Sequence, residues 1–123
     1  RHEGTAVLSD DRIVVRRHGD ELRMHGTPWH GEAALSAPGS APLARVYFIR
    51  RDGTVGAAPR FRPIAGAAYA ARLYSCVFCP FYSAGAVEFT VGALAEIAAR
   101  VPGCEVSYLP GTDVAAAAMA LED

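Results

Sequence analysis

Apolar and polar residues change rhythm twice along this chain of 123 residues. Thr5-Ala-Val-Leu8 is a short apolar run that stops at Ser9-Asp10-Asp11, the pattern of a buried strand ending in a polar turn. Ile13-Val-Val-Arg-Arg17 is a second β-rich run, and His18-Gly-Asp20 supplies turn chemistry after it. Glu21-Leu-Arg-Met-His25 alternates polar and apolar as a half-buried strand does, so the two runs predict a hairpin. From Gly26 to Pro42 the chain is rich in Gly, Pro, Ser and Ala and has no helical period. It reads as a long loop, and loops of that length in compact domains tend to carry function. Leu43-Ala-Arg-Val-Tyr-Phe-Ile-Arg50 is the strongest strand signal, stopped by Asp52-Gly53.

The second half turns helical. Ile64 to Ser75, after Pro63, predicts a helix with Ile64, Ala68, Ala71 and Leu73 on one side. From Ala84 to Val101, the residues Val87, Val91, Leu94, Ala98 and Val101 step by four, three, four and three. That is one face of an amphipathic helix, closed by Pro102-Gly103. Cys104 to Leu109 predicts a final strand, and Asp113 to Leu121 a short alanine-rich helix. Strands first, then helix, helix, strand and helix, give an α/β class, with a mixed sheet, a hairpin and flanking helices in one domain over 1–123.

Composition narrows the function. A formal charge of −1 with scattered charges excludes a general nucleic-acid grip, which needs a clustered basic face. No apolar run reaches the ~18–20 residues that span a bilayer, so the expectation is a cytoplasmic protein without a membrane partner. All twelve basic residues are arginine. A chain without lysine cannot contain a Walker A loop or form a Schiff base. It also begins at Arg1 rather than Met, which suits a fragment, a processed form or a truncation.

Four groups of residues carry candidate chemistry. In Leu8-Ser-Asp-Asp11, a carboxylate at the end of a strand projects from the sheet edge where α/β proteins place ligands. One acid of the pair can hold Mg²⁺ while the other accepts a proton from an attacking hydroxyl. The same string also makes turns and helix caps. Gly26-Thr-Pro-Trp-His-Gly-Glu32 holds the only Trp, two glycines, an imidazole and a carboxylate. Gly26, Thr27 and His30 suit a phosphate-bearing cofactor and Glu32 a metal, while a packed turn with Trp29 filling an apolar gap is the alternative. Cys76-Val-Phe-Cys79 has C-x-x-C spacing, but three cysteines lack the partners of a zinc site, and buried small hydrophobes fit better. Arg50-Arg51 and Arg60-Phe-Arg62 suit either a phosphate or carboxylate partner, or a solvated rim.

Taken in order, Leu8-Ser-Asp-Asp-Arg-Ile-Val-Val15, the hairpin, Gly26 to Glu32 and Ala41-Pro-Leu-Ala-Arg-Val-Tyr-Phe-Ile49 resemble the back half of HPr serine kinase-like proteins. These belong to the HPr kinase/phosphorylase and PEP carboxykinase-like P-loop group. The second half fits the same pattern, with Pro80-Phe81, a long helix into Val101-Pro102 and a strand into Leu109-Pro110. The resemblance implies an ATP-dependent kinase that phosphorylates a serine on a protein or peptide. It assigns the attacking hydroxyl and Mg²⁺ to Asp10 and Asp11, and a further metal contact to Glu32. The family's Walker A element, which precedes the acid pair, is missing here.

The favoured expectation is therefore the C-terminal portion of such a kinase, inactive alone. Loss of an N-terminal strand and helix would expose sheet edge and favour a homo-oligomer. A non-catalytic binding or assembly module with the same fold is the alternative. A metal or redox protein using Cys76 and Cys79 is the third.

Overall fold

A computed structural model describes residues 6–51, 58–79, 82–108 and 118–119. The chain is mixed α/β, with two small sheets and two helices of more than one turn among the described residues. It divides into two compact units, one holding residues up to Leu43 and the other those from Ala44 to Thr112.

In the first unit, β1 (Val14–His18) and β2 (Glu21–His25) form the expected hairpin, with His18 opposite Glu21 across a two-residue loop. Gly19 opens that loop at φ 63°, the positive value that a tight hairpin turn demands at its first position. β2 also pairs with β3 (Ser40–Pro42), so the end of the expected Gly26–Pro42 loop is an edge strand. Leu22 is the buried residue of β2, while Arg23, Met24 and His25 are all half-buried, so the expected alternation is only partly present.

The run before Ser9 is not a strand. Residues 6–8 lie outside any ladder, and only an isolated bridge joins Ser9 to Ser36. The Leu8 carbonyl accepts the Ala37 N–H at 2.9 Å, but past it the Ser9 and Asp10 side chains bond the neighbouring loop N–H groups, and no ladder is continued. Asp10 and Asp11 therefore do not project from a sheet edge.

In the second unit, β4 (Val46–Arg50), β5 (Arg60–Ile64) and β6 (Gly103–Ser107) form a mixed sheet in the order β4-β6-β5. β6 runs parallel to β4 and antiparallel to β5. β4 keeps only the branched and aromatic part of the expected Leu43–Arg50 strand. β5 takes Ile64 away from the expected helix. Its Pro63 cannot donate to a ladder, which is tolerated because β5 is an edge strand.

α1 (Gly66–Tyr74) buries Tyr69 and Leu73, one turn apart, and leaves Ala68 and Ala71 exposed. Small alanines offer little area to bury, so the tyrosine sets the face. α2 (Ala84–Arg100) begins at Ser83, whose hydroxyl caps the Ala86 N–H at 3.3 Å. Its buried face runs through Leu94 and Ile97 into Val101, rotated from the expected one, so that Val91 is exposed. α1 and α2 pack against each other. The core gathers Phe48, Tyr69, Leu73, Leu94, Ile97, Val101 and the fully buried Val106.

Cys76 is exposed and Cys79 half-buried, both as free thiols, so the C-x-x-C pair is not the buried pair that was expected. The expected helix over 113–121 lies outside the described residues apart from the helical residues 118 and 119. No described helix is long and apolar enough to cross a membrane.

Candidate functional site

The two motifs of the first unit are bound to each other. Ser9 Oγ donates to the Trp29 carbonyl at 2.7 Å and accepts the N–H groups of Asp11 and Arg12, each at 3.0 Å. The Asp10 carboxylate accepts three backbone N–H groups, from Gly31 at 2.7 Å, Ala33 at 2.8 Å and Leu35 at 3.3 Å. Its own N–H donates to the Leu35 carbonyl at 3.1 Å. These N–H groups, Gly31's foremost, hold the Asp10 carboxyl below its ordinary 3.8. The loop turns its N–H groups inward on an anion, as phosphate-binding loops do, and the anion is the side chain of Asp10.

Gly26 and Gly31 serve the same closure. A Cβ on Gly26 would lie 1.8 Å from the Ala37 carbonyl oxygen, and one on Gly31 would lie 3.1 Å from the Asp10 carboxylate. The glycines let loop meet loop. Thr27 is buried, and its hydroxyl donates to the Arg12 carbonyl at 2.6 Å.

The remaining motif residues face solvent. Asp11 is exposed, its carboxylate 3.4 Å from Arg12 Nε. Trp29 is 58% exposed, so it does not fill an apolar gap. His30 is exposed, with Nδ1 3.1 Å from the Gly31 carbonyl, and Glu32 is exposed too. Asp10, Asp11 and Glu32 do not converge on one point: among the described residues no three His, Cys, Asp or Glu side chains are placed to share a metal ion.

A second constellation, in the other unit, was legible only as scattered arginines. The period of two places Phe48, Glu105 and Arg62 in one row across β4, β6 and β5. Arg50, Ser107 and Arg60 form the next row on the same face. Glu105 is buried, and its carboxylate pairs with Arg62 and, at 2.7 Å, with Arg72 of α1. The two guanidinium groups, Arg62's above all, hold this carboxyl down to about 2. Arg72 also stacks over the Phe48 ring at 4.7 Å. Around them runs a groove of about 370 Å³ lined by Arg50, Arg60, Arg62, Glu105 and Ser107. A lone Glu in a C-terminal strand gives no sequence signal of this kind; its partners come from a strand and a helix far upstream.

No family model matches the chain, and neither a curated protein nor a solved structure shows significant similarity to it.

Proposed function

We propose that this chain is the C-terminal portion of an HPr kinase-like, ATP-dependent serine kinase acting on a protein or peptide, with the PEP carboxykinase-like P-loop fold of that group. The observation that carries this reading is the interlock of Ser9-Asp10-Asp11 with Gly26–Glu32, two motifs about twenty residues apart that share one hydrogen-bond network. Residues that serve one reaction have to be held together, and here the holding is done by Ser9, Asp10 and Thr27. Asp10 is then a positioning residue. Asp11, exposed beside it, is the carboxylate that takes the proton of the attacking serine hydroxyl.

The described residues do not fit a complete Mg²⁺-ATP site. The Asp10 oxygens are occupied by backbone N–H groups, no described cluster offers three metal ligands, and the chain contains no lysine. The phosphate cradle is assigned to polypeptide outside this sequence, and this chain contributes the proton acceptor and its support.

The test is transfer of the ATP γ-phosphate to a serine peptide by a polypeptide that joins this sequence to a lysine-bearing P-loop encoded upstream. Asp11→Asn should lower transfer by about 10²–10⁴ while leaving the melting temperature unchanged. An upstream reading frame closed by a stop codon without a P-loop, or full transfer by Asp11→Asn, overturns the reading. The closed frame selects the non-catalytic assembly module, which the missing lysine favours, and full transfer by Asp11→Asn removes Asp11 as the proton acceptor.

A further inference from the structure

We propose that His18 and His25, on one face of the β1-β2 hairpin, form a two-imidazole site for a borderline divalent transition ion such as Zn²⁺.

The hairpin makes the pair. His18 stands opposite Glu21 at the turn, and His25 stands opposite Val14 at the far end of the ladder. The period of two puts both histidines on one face and Leu22 on the other. Their side chains reach toward each other along that face. The two Nε2 atoms stand 3.1 Å apart, and the ring centroids 5.2 Å apart with a tilt of 40°, so the rings meet end to end and do not stack. In that contact one nitrogen donates and the other accepts, so at least one already presents a lone pair.

That spacing suits a shared metal ion. Tetrahedral zinc bonds imidazole nitrogen at about 2.0–2.1 Å, which sets two such nitrogens roughly 3.3 Å apart and their ring centres roughly 5 Å apart. To admit the ion, the donor ring's proton moves from Nε2 to Nδ1, and both Nε2 lone pairs are then available to it. Neutral imidazole suits Zn²⁺, Ni²⁺ and Cu²⁺, whereas Mg²⁺ takes oxygen ligands. Two charged neighbours share the face. Arg23 is held 2.9 Å from both Glu21 and Ser40, and Arg16 lies in the row between the two histidines, where its charge weakens the site. Two protein ligands leave the remaining coordination positions to water or to a donor group of another molecule. The bound ion would also tie β1, at one end of the strand order, to β2.

The experiment is titration of the whole chain, without an affinity tag, with Zn²⁺ and with Mg²⁺. Calorimetry and the imidazole nitrogen NMR signals are the readouts. Zn²⁺ should bind saturably and shift the Nε2 signals of His18 and His25, and Mg²⁺ should do neither. His18→Gln and His25→Gln should each weaken Zn²⁺ binding by at least about tenfold, since even a residue that only supports a metal ligand is worth about 10–100-fold. His18 is exposed, so His18→Gln keeps the hairpin, and its amide spectrum checks this. His30→Gln, which removes an exposed imidazole elsewhere, should leave affinity within about twofold, and Arg16→Gln should tighten binding at low salt. Zn²⁺ should also slow hydrogen exchange at the β1 amides of the parent chain but not of His18→Gln. Unchanged Zn²⁺ affinity in His18→Gln and His25→Gln, equal weakening by His30→Gln, or equal binding of Mg²⁺ would each overturn the proposal.

Discussion

The carboxylate of Asp10 accepts the backbone N–H of Gly31 at 2.7 Å, across twenty-one residues of chain. The same side chain gathers the N–H groups of Ala33 and Leu35, so one acid fixes a loop that has no regular secondary structure between Gly26 and Leu35. Asp11, its sequence neighbour, does none of this. Two adjacent identical residues therefore have different work, which gives the first prediction.

Asp10→Asn should speed hydrogen exchange at Gly31, Ala33 and Leu35 by about tenfold or more, while Asp11→Asn leaves it unchanged. The amide keeps one acceptor oxygen but replaces the other with a donor. The folded carboxyl titrates below its ordinary 3.8, so the unfolded state takes up the proton first as pH falls. Protection of these amides should hold above about pH 4 and fade as pH drops through the folded value. Exchange followed by NMR at several pH values measures both effects.

Glu105 sets a second acid limit. Its carboxyl is ordinarily half-protonated at 4.5 and here titrates near 2, because Arg62 and Arg72 favour the charged form. Its contribution is present above pH 4.5 and is lost progressively from there down to about 2. Chemical denaturation across that range should show stability falling with pH. Glu105→Gln should be less stable at pH 7 and show a shallower fall. An unchanged slope would mean that the ion pairs contribute nothing to folding.

Among the described glycines of the second unit, Gly103 is the one most tightly packed, against Tyr69. A Cβ on Gly103 would come within 2.5 Å of the Tyr69 ring, which is only 1% exposed and in edge contact with Phe48. Gly103→Ala should cost about 1–3 kcal/mol, the usual penalty for overpacking. In a Tyr69→Leu background the same substitution should cost clearly less, because the smaller side chain vacates the space. Urea denaturation of the four proteins in the cycle gives the coupling. Equal costs in both backgrounds would remove the contact as the cause.

Ala34 adopts φ 54°, between two residues whose N–H groups are held by Asp10. For a residue with a Cβ this left-handed conformation costs roughly 1–2 kcal/mol, and glycine adopts it freely. The alanine side chain is exposed and has no packing to lose. Ala34→Gly should therefore raise stability by about 0.5–1 kcal/mol after glycine's greater chain entropy is counted. A rise of a few degrees in melting temperature is the readout.

Periodicity exposed the hairpin, β4, α2 and the position of β6, because each has a strong local signal in turn chemistry, branched residues or a terminal Pro-Gly. It missed β5, where Pro63 and the two arginines look unlike a strand until β6 is seen to pair with one edge of it. It placed α1 on an alanine face, although one tyrosine outweighs several alanines in buried area. At the candidate site, the residue types of Ser9, Asp10, Gly26 and Thr27 singled out two segments that the structure joins by hydrogen bonds. Their use in bonding loop to loop depended on long-range geometry that spacing does not encode. The arginine groove was harder still. Its rows come from register across three strands, and register is set only when the sheet assembles.

The order of strands in that sheet also governs when it can exist during synthesis. β6 is the last of the three to be made, yet it lies between the other two and supplies every hydrogen bond that either of them forms in the ladder. Until Gly103–Ser107 leaves the ribosome, β4 and β5 have no partner in this sheet, and Phe48, Tyr47 and Phe61 wait beside unpaired backbone. The closing step then joins distant segments at once, carrying Glu105 onto Arg62 and Arg72 in the same movement. A nascent chain halted just before Gly103 would hold two helices and two unpaired strands, a natural client for a chaperone.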